Sequence, residues 1–257
     1  MHPLKPFVAA LKYTRYFGTV ASNMIKLTGK YQTTIHPKHL IIFEKPWYMK
    51  YIKSGQNVLD IGCYKGNHVF RCAGICSSVV GMDYSYNAIK AAREIAKSRG
   101  IKNVQFICRD IENGLGMNEE KFDAVLFLDV IEHIDNRNGV LKDIKKVLKP
   151  GGIMLISAPN IDTSWKNLQK KVGLSPYADS DHKIEFTKKE LFGLISKRFD
   201  ILDWNVISYD TPLSGIIDLI GGISLSLYKR LVLWKIKMVK LRPNETSGFR
   251  VIAKVKK

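Results

Sequence analysis

The sequence predicts an open, doubly wound α/β sheet with basic helical segments at either side of it along the chain. Three observations carry the prediction. Between residues 57 and 159, five short apolar runs rich in Val, Ile and Leu recur, and stretches with helical spacing separate them. Each of the first four runs also ends close to an aspartate. Apolar strands alternating with helices form a parallel sheet covered on both faces, because each right-handed crossover lays its helix back on the sheet.

The runs are "NVLDIG" (57–62), "SSVVGMD" (77–83), "NVQFICRD" (103–110), "FDAVLFLD" (122–129) and "GIMLISAP" (152–159). Cys72 and Cys76, four apart, share a helix between the first two. The clearest helix starts at Ser85 as its cap, runs through "YNAIKAAREIAKSRG" and closes on Gly100. In "NGVLKDIKKVLKPGG", Val140, Leu141, Ile144, Val147 and Leu148 lie on one face and Pro150 stops the helix. Beyond Pro159, "TKKELFGLISKRF" opens with Thr187 and Glu190 spaced as a capping box. "DILDWNVISYD" and "GFRVIAKVKK" read as late strands separated by an insertion, 211–247. The expected organisation is a basic N-terminal helical cap (1–54), a cofactor-binding core (55–160), and a C-terminal half of the sheet (161–257) that carries the insertion.

Charge is uneven along the chain. Against a formal total of +18, residues 1–55 hold nine basic and one acidic residue, 56–160 hold 14 and 12, and 161–257 hold 18 and 10. Basic flanks attract phosphate, whether of nucleic acid, anionic lipid or a phosphorylated substrate. The four cysteines, Cys63, Cys72, Cys76 and Cys108, lack the spacing of a metal site with paired histidines, so no metal is expected and the thiols read as reduced. "FVAAL" runs directly into Lys12, which argues against a signal peptide, and no run of ~20 uncharged apolar residues exists to span a bilayer. A cytoplasmic location is expected, with a peripheral membrane position left open.

The first loop, "VLDIGCYKG" (58–66), identifies the cofactor. A dinucleotide loop needs G-x-G-x-x-G so that the backbone approaches a pyrophosphate. Here Gly62 and Gly66 are spaced G-x-x-x-G and Asp60 precedes them. An acid in that position repels pyrophosphate but suits the ammonium of S-adenosylmethionine (SAM), directly or through water. Asp83, 23 residues beyond Asp60, can accept from both ribose hydroxyls, and Asp110 can accept from an adenine amino group.

Together, "VLDIGCYKG", "VVGMDYS", "RDIE", "FDAVLFLDVIEHI" and "LKPGGIMLISAPN" resemble the class I SAM-dependent methyltransferases, in particular the ubiquinone/menaquinone-type small-molecule branch. The resemblance implies a Rossmann-like seven-stranded sheet with an antiparallel last strand. It implies that Asp60, Gly62, Cys63 and Gly66 surround the methionine end, Asp83 and Tyr84 the ribose, and Asp110 and Ile111 the adenine, with Asp129 available to the cofactor's amino end. The family often has glycine where this chain has Tyr64. A bulky ring there is expected to stiffen the loop or pack beside the methionine end, with Lys65 pointing to solvent.

Methyl transfer is an in-line displacement that depends mainly on alignment, and a base is needed only where the nucleophile loses a proton. "LDVIEHI" offers His133 as that base and Glu132 beside it; the same pair can instead orient the following loop. His182, in "DSDHKIEFT", is a third candidate. The chain lacks the Asn/Asp-Pro-Pro-aromatic turn of similar amino-methyltransferases and any Pro-Cys pair, which disfavours those two routes to base methylation. The segments 4–30 and 212–243 mix Lys and Arg with bulky apolar residues, a composition suited to an anionic membrane interface. In similar methyltransferases such segments cover the substrate. The expectation is therefore O-methylation of a small or lipid-linked acceptor. An RNA methyltransferase and a non-catalytic, membrane-associated SAM-binding protein are the alternatives, with nucleic acid the weaker partner.

Overall fold

A computed structural model describes residues 2–29, 34–41, 46–117 and 120–256. In chain order the principal elements are α1 (Lys5–Tyr13), α2 (Phe17–Leu27), β1 (Asn57–Ile61), α3 (Asn67–Ala73), β2 (Ser78–Asp83), α4 (Tyr86–Ser98), β3 (Val104–Cys108) and β4 (Phe122–Leu128). They continue with α5 (Arg137–Val147), β5 (Leu148–Pro159), α6 (Ser164–Lys171), α7 (Lys188–Ser196), β6 (Phe199–Val206), α8 (Ser214–Ile223), α9 (Leu225–Leu241) and β7 (Gly248–Val255). The chain divides into two compact units, each discontinuous in sequence. A sheet unit takes Pro46–Pro159, Asp179–Asn205 and Phe249–Lys257, and a helical unit takes Met1–Lys45, Asn160–Ala178 and Val206–Gly248.

The seven strands lie in the order β3-β2-β1-β4-β5-β7-β6. The pairs β1–β2, β2–β3, β1–β4 and β4–β5 are parallel, and the last strands are antiparallel. The order reverses direction at β1, so the crevice between β1 and β4 is a topological switch point, where such sheets bind ligands. Successive β1 residues serve opposite cores. Leu59 and Ile61 join Val125, Phe127 and the α5 face made by Val140, Leu141, Ile144 and Val147. Val58 joins Ala124, Leu126, and Ile89 and Ala92 of α4. Full burial of each of these aliphatic side chains contributes about 1.5–3 kcal/mol.

Helix starts follow the local signals. Ser85 caps α4 by accepting from the Ala88 N–H, and Asn136 caps α5 through Gly139. Thr187 and Glu190 form the complete reciprocal box at α7. The α5 helix ends at Val147 rather than at Pro150, because Leu148 already pairs with Phe122 and extends β5.

In the helical unit, the Gly221-Gly222 pair does not break the insertion as its composition suggests. Both residues lie inside α8, and Ser224 makes the break by capping α9. A Cβ on Gly222 would sit 2.8 Å from the Ala21 Cα of α2, so glycine is there for close helix approach. All four cysteines are free thiols, and Cys76 lies beyond the end of α3 rather than on one helix with Cys72 as expected. Among the described residues, no helix is long and apolar enough to cross a membrane.

Candidate functional site

The site begins where β1 ends. Gly62 and Cys63 both donate their N–H to the Met82 carbonyl of β2, at 2.8 and 3.0 Å, which pins the loop to the neighbouring strand. The chain then alternates through left-handed conformations at Gly62 (φ +75°), Tyr64 (φ +46°) and Gly66 (φ +84°). Glycine adopts this region freely; any other L-residue costs about 1–2 kcal/mol there. Gly62 is doubly required, since a Cβ would fall 2.3 Å from Val130 Cγ2. Tyr64 occupies the intervening left-handed position, held by its N–H donating to Asp83 Oδ2 at 2.8 Å. Its ring is 58% exposed, with the Lys65 ammonium 5.3 Å from the ring centroid.

A cavity of about 500 Å³ opens at the strand ends of the sheet unit. Of the residues expected from sequence, Gly62, Asp83, Tyr84, Asp110, Ile111, Asp129 and His133 line it. Asp60, Cys63, Gly66, Glu132 and His182 are not in the lining. Cys63 packs into the core beneath the loop, and burial pushes its thiol pKa up. Gly66 begins α3. Met82, Arg109, Glu112, Val130, Ile134 and Asp181 complete the wall. The first five lie inside or next to motifs already noted, but Asp181 is about 50 residues from the fourth strand, and only folding brings it there.

The cavity is acidic although the protein is basic. Asp83, Asp110, Glu112, Asp129 and Asp181 line it with Arg109, whose Nε donates to the Gly114 carbonyl; Glu112 accepts from the Asp135 and Asn136 N–H groups and lies 3.7 Å from the Lys183 ammonium. Asp83 is committed at both oxygens, to the N–H groups of Tyr64 and Ser85, yet each oxygen keeps a second acceptor position. Asp110 caps the short turn Ile111–Asn113 through the Glu112 N–H. Asp129, itself left-handed (φ +54°), accepts from Ser157 Oγ at 2.8 Å. Beneath the loop, Asp60 is 1% exposed and its Oδ2 has no hydrogen-bond partner among the described residues. Burial, aided by the negative charge of Asp83, pushes its pKa up to about 8. An orphaned carboxyl among further acids fits a cation and opposes a pyrophosphate.

A second cluster adjoins the cavity through His133. Glu132, His133 and His182 present ligand-capable atoms all within 4.8 Å of one another. The two imidazoles meet edge to face, with centroids 4.8 Å apart. His133 Nδ1 lies 3.3 Å from the Asp181 carbonyl and His182 Nδ1 lies 2.8 Å from Glu185 Oε1, so both rings keep Nε2 for chemistry. Glu132 is buried with Oε2 unpartnered among the described residues. Its pKa rises to about 8, mainly through burial and further through Asp129 and Glu185. Burial favours neutral His182, but the bond to Glu185 and the charges of Glu185, Glu132 and Asp179 outweigh it and raise its pKa. Two histidines with oriented Nδ1 atoms and a buried carboxylate are a set that can hold a divalent cation or move a proton.

Comparison with known proteins agrees with this geometry. The family model described as "Methyltransferase domain" matches residues 52–206. Ubiquinone biosynthesis O-methyltransferase of Yersinia pestis (strain Pestoides F) is 28% identical over 194 residues, covering 70% of this chain and 76% of that protein. Among solved structures, a SAM-dependent methyltransferase from Methanosarcina mazei aligns with TM-score 0.57 and 21% identity, covering 83% of this chain and 99% of the other. The N-methyltransferase NodS from Bradyrhizobium japonicum, in complex with S-adenosyl-L-homocysteine, aligns with TM-score 0.52 and 12% identity, covering 79% and 80%. The [4+2]-cyclase SpnF aligns with TM-score 0.57 and 20% identity, covering 80% and 76%. These structural likenesses speak to the fold. The family match, which spans more than half of the chain, decides membership: this protein belongs to the class I SAM-dependent methyltransferases, and SAM is its cofactor.

Proposed function

We propose that the protein transfers the methyl group of SAM to an oxygen of a small or lipid-associated acceptor, with the acidic strand-end cavity holding the cofactor. The observation that carries this reading is the contrast between that cavity and the rest of the molecule. Five acidic residues line it in a chain of formal charge +18, which suits a cationic cofactor. Asp60, with Gly62 and Gly66 shaping the loop, would serve the methionine end. Asp83 and Tyr84 would serve the ribose, Asp110 and Ile111 the adenine, and Asp129 the amino end.

When bound, SAM supplies a methyl carbon on a sulfonium, already activated for displacement. The chain's own residues then have two tasks. The cavity walls orient the partners, where most of the rate advantage of such a transfer arises. His133 Nε2 takes the proton of the acceptor hydroxyl, with its ring held by the Asp181 carbonyl. Glu132, once ionised, supports the resulting imidazolium, and His182, bonded to Glu185, packs edge to face against the His133 ring. The unpartnered Glu132 Oε2 favours a second reading of the same trio, in which a divalent cation sits between the three side chains and lowers the pKa of the acceptor hydroxyl instead.

The helical unit supports a lipid-associated acceptor. Of 18 exposed large hydrophobic residues among the described ones, 13 belong to this unit, including Leu27, Ile223, Leu233, Trp234 and Leu241. Exposed Lys229, Arg230, Lys237 and Lys240 lie beside them on α9. Apolar side chains interleaved with basic ones suit peripheral attachment to an anionic bilayer. The test follows radiolabelled methyl from SAM into cell extract fractionated into lipid, RNA, protein and soluble pools. Label in the lipid or soluble pool supports the reading; label confined to RNA or protein, or absent from every pool, overturns it.

A further inference from the structure

The helical unit contains a second polar cavity, of about 370 Å³. Its polar lining is His36, Lys38, Ser208, Asp218, Tyr228 and Lys235, completed by three aliphatic side chains. The one carboxylate in the lining is already engaged. Asp218 Oδ1 accepts from the Tyr228 hydroxyl at 3.2 Å, and Oδ2 lies 3.6 Å from His36 Nε2. Burial and the negative charge of Asp218 raise the Tyr228 pKa, so the phenol keeps its proton.

Lys235 is differently placed. It joins the lining from α9, and its one hydrogen bond within the described residues is to Ser214 Oγ, at 3.3 Å. No carboxylate among the described residues lies within ion-pair distance of it or of Lys38. Burial drives the Lys235 pKa down, against the charges of Asp218 and Asp210, which raise it. A half-buried ammonium with two of its three donors unused can take an anion as a further partner.

We propose that this cavity is a phosphate subsite. Lys235, Lys38 and Ser208 are donors on three separate segments of the helical unit, and a tetrahedral phosphate offers several oxygens to such a set, whereas a planar carboxylate offers two. The aliphatic wall accommodates the substituent of a phosphate ester. That ester is either a phospholipid head group or a soluble phosphorylated metabolite, and the chemistry of recognition is the same for both. Binding here requires no SAM and stands apart from the methyl-transfer reaction.

Isothermal titration of the full-length protein, without SAM, tests the proposal. The probes are inorganic phosphate and a soluble short-chain phosphatidic acid, with the matching phosphatidylcholine as control. Saturable binding is expected, weakened about tenfold or more by Lys235→Gln and to a smaller extent by Lys38→Gln. Lys97→Gln, an exposed lysine of α4 outside the cavity, should leave it unchanged. A thermal melt of each variant shows that it is folded, and Lys38→Gln carries the test should Lys235→Gln fail to fold. Lysine-dependent binding of both probes supports a subsite for phosphate itself, and of phosphatidic acid alone a subsite for a lipid head group. No binding of either probe, equal loss in Lys97→Gln, or phosphatidic acid binding that ignores both cavity lysines would overturn the proposal.

Discussion

Replacing Asp60 with Asn should make the free protein more stable and its cofactor complex weaker. Asp60 lies at the end of β1, 1% exposed, with one oxygen unpartnered among the described residues. Burial followed by the charge of Asp83 raises its pKa from 3.8 to about 8. The stabilising state is the protonated one. The contribution is complete below the unfolded pKa, near 4, and is lost progressively as the pH rises to about 8. At pH 7 the unfolded chain gains by ionising the acid across roughly three pH units, which disfavours the fold by about 4 kcal/mol. Asn is neutral and nearly isosteric, and removes that cost. Its buried amide brings back about 1–3 kcal/mol through unmet hydrogen bonds. A net gain of about 2 kcal/mol remains, or a Tm rise of about 4–8 °C in a chain of this size.

SAM binding should move the other way. Loss of a charge-assisted partner for the ammonium weakens binding about 10- to 100-fold. In the wild type, SAM affinity should climb with pH and level off above about 8, as Asp60 ionises to receive the cation; in Asp60→Asn that dependence should flatten. Differential scanning fluorimetry without ligand and calorimetric SAM titration at pH 6, 7 and 8.5 measure both. A variant that melts lower than wild type at pH 7, or binds SAM as tightly, would refute the reasoning.

Two further outcomes are expected. Tyr64→Gly relieves a left-handed tyrosine at a cost of about 1 kcal/mol in chain entropy, so Tm should shift by only a few degrees and SAM affinity should stay within about threefold; loss of SAM binding would show that the ring forms part of the pocket. If the trio Glu132–His133–His182 binds a divalent cation, metal-free protein should take up one equivalent of Mg²⁺, Mn²⁺ or Zn²⁺ by titration with elemental analysis, and His182→Gln should lose that uptake while still binding SAM. Full methyl transfer in the presence of a strong chelator would instead assign the proton transfer to His133 without a metal.

The strand-end acids were legible because parallel strands carry a strong apolar signal, and a polar residue that closes such a run stands at the sheet's ligand-binding edge. Asp83, Asp110 and Asp129 could be assigned that way, and Asp60 through its place before the glycines. His133 followed from its closeness to the fourth strand. The partners that orient the histidines were not legible. Asp181 reaches His133 from a segment about 50 residues further on, while Glu185 binds His182 from three residues away, and no local pattern distinguishes those acids from solvated ones. Tyr64 could be noticed only as the absence of glycine; its left-handed backbone and its tie to Asp83 are properties of the folded loop.

The sequence by itself determined the run of parallel strands and the kind of cofactor. These rest on local periodicity and on the sign of a few charges at strand ends, which the chain carries wherever it goes. The order of the strands, the acidic cavity inside a basic protein, the unpartnered oxygens of Asp60 and Glu132, the glycine contact of α8 with α2 and the half-buried ammonium of Lys235 were decided only by tertiary structure. Each depends on which distant groups are packed together and which are removed from water, and the energetic weight of a charge or a missing side chain is set by that burial rather than by its neighbours in sequence.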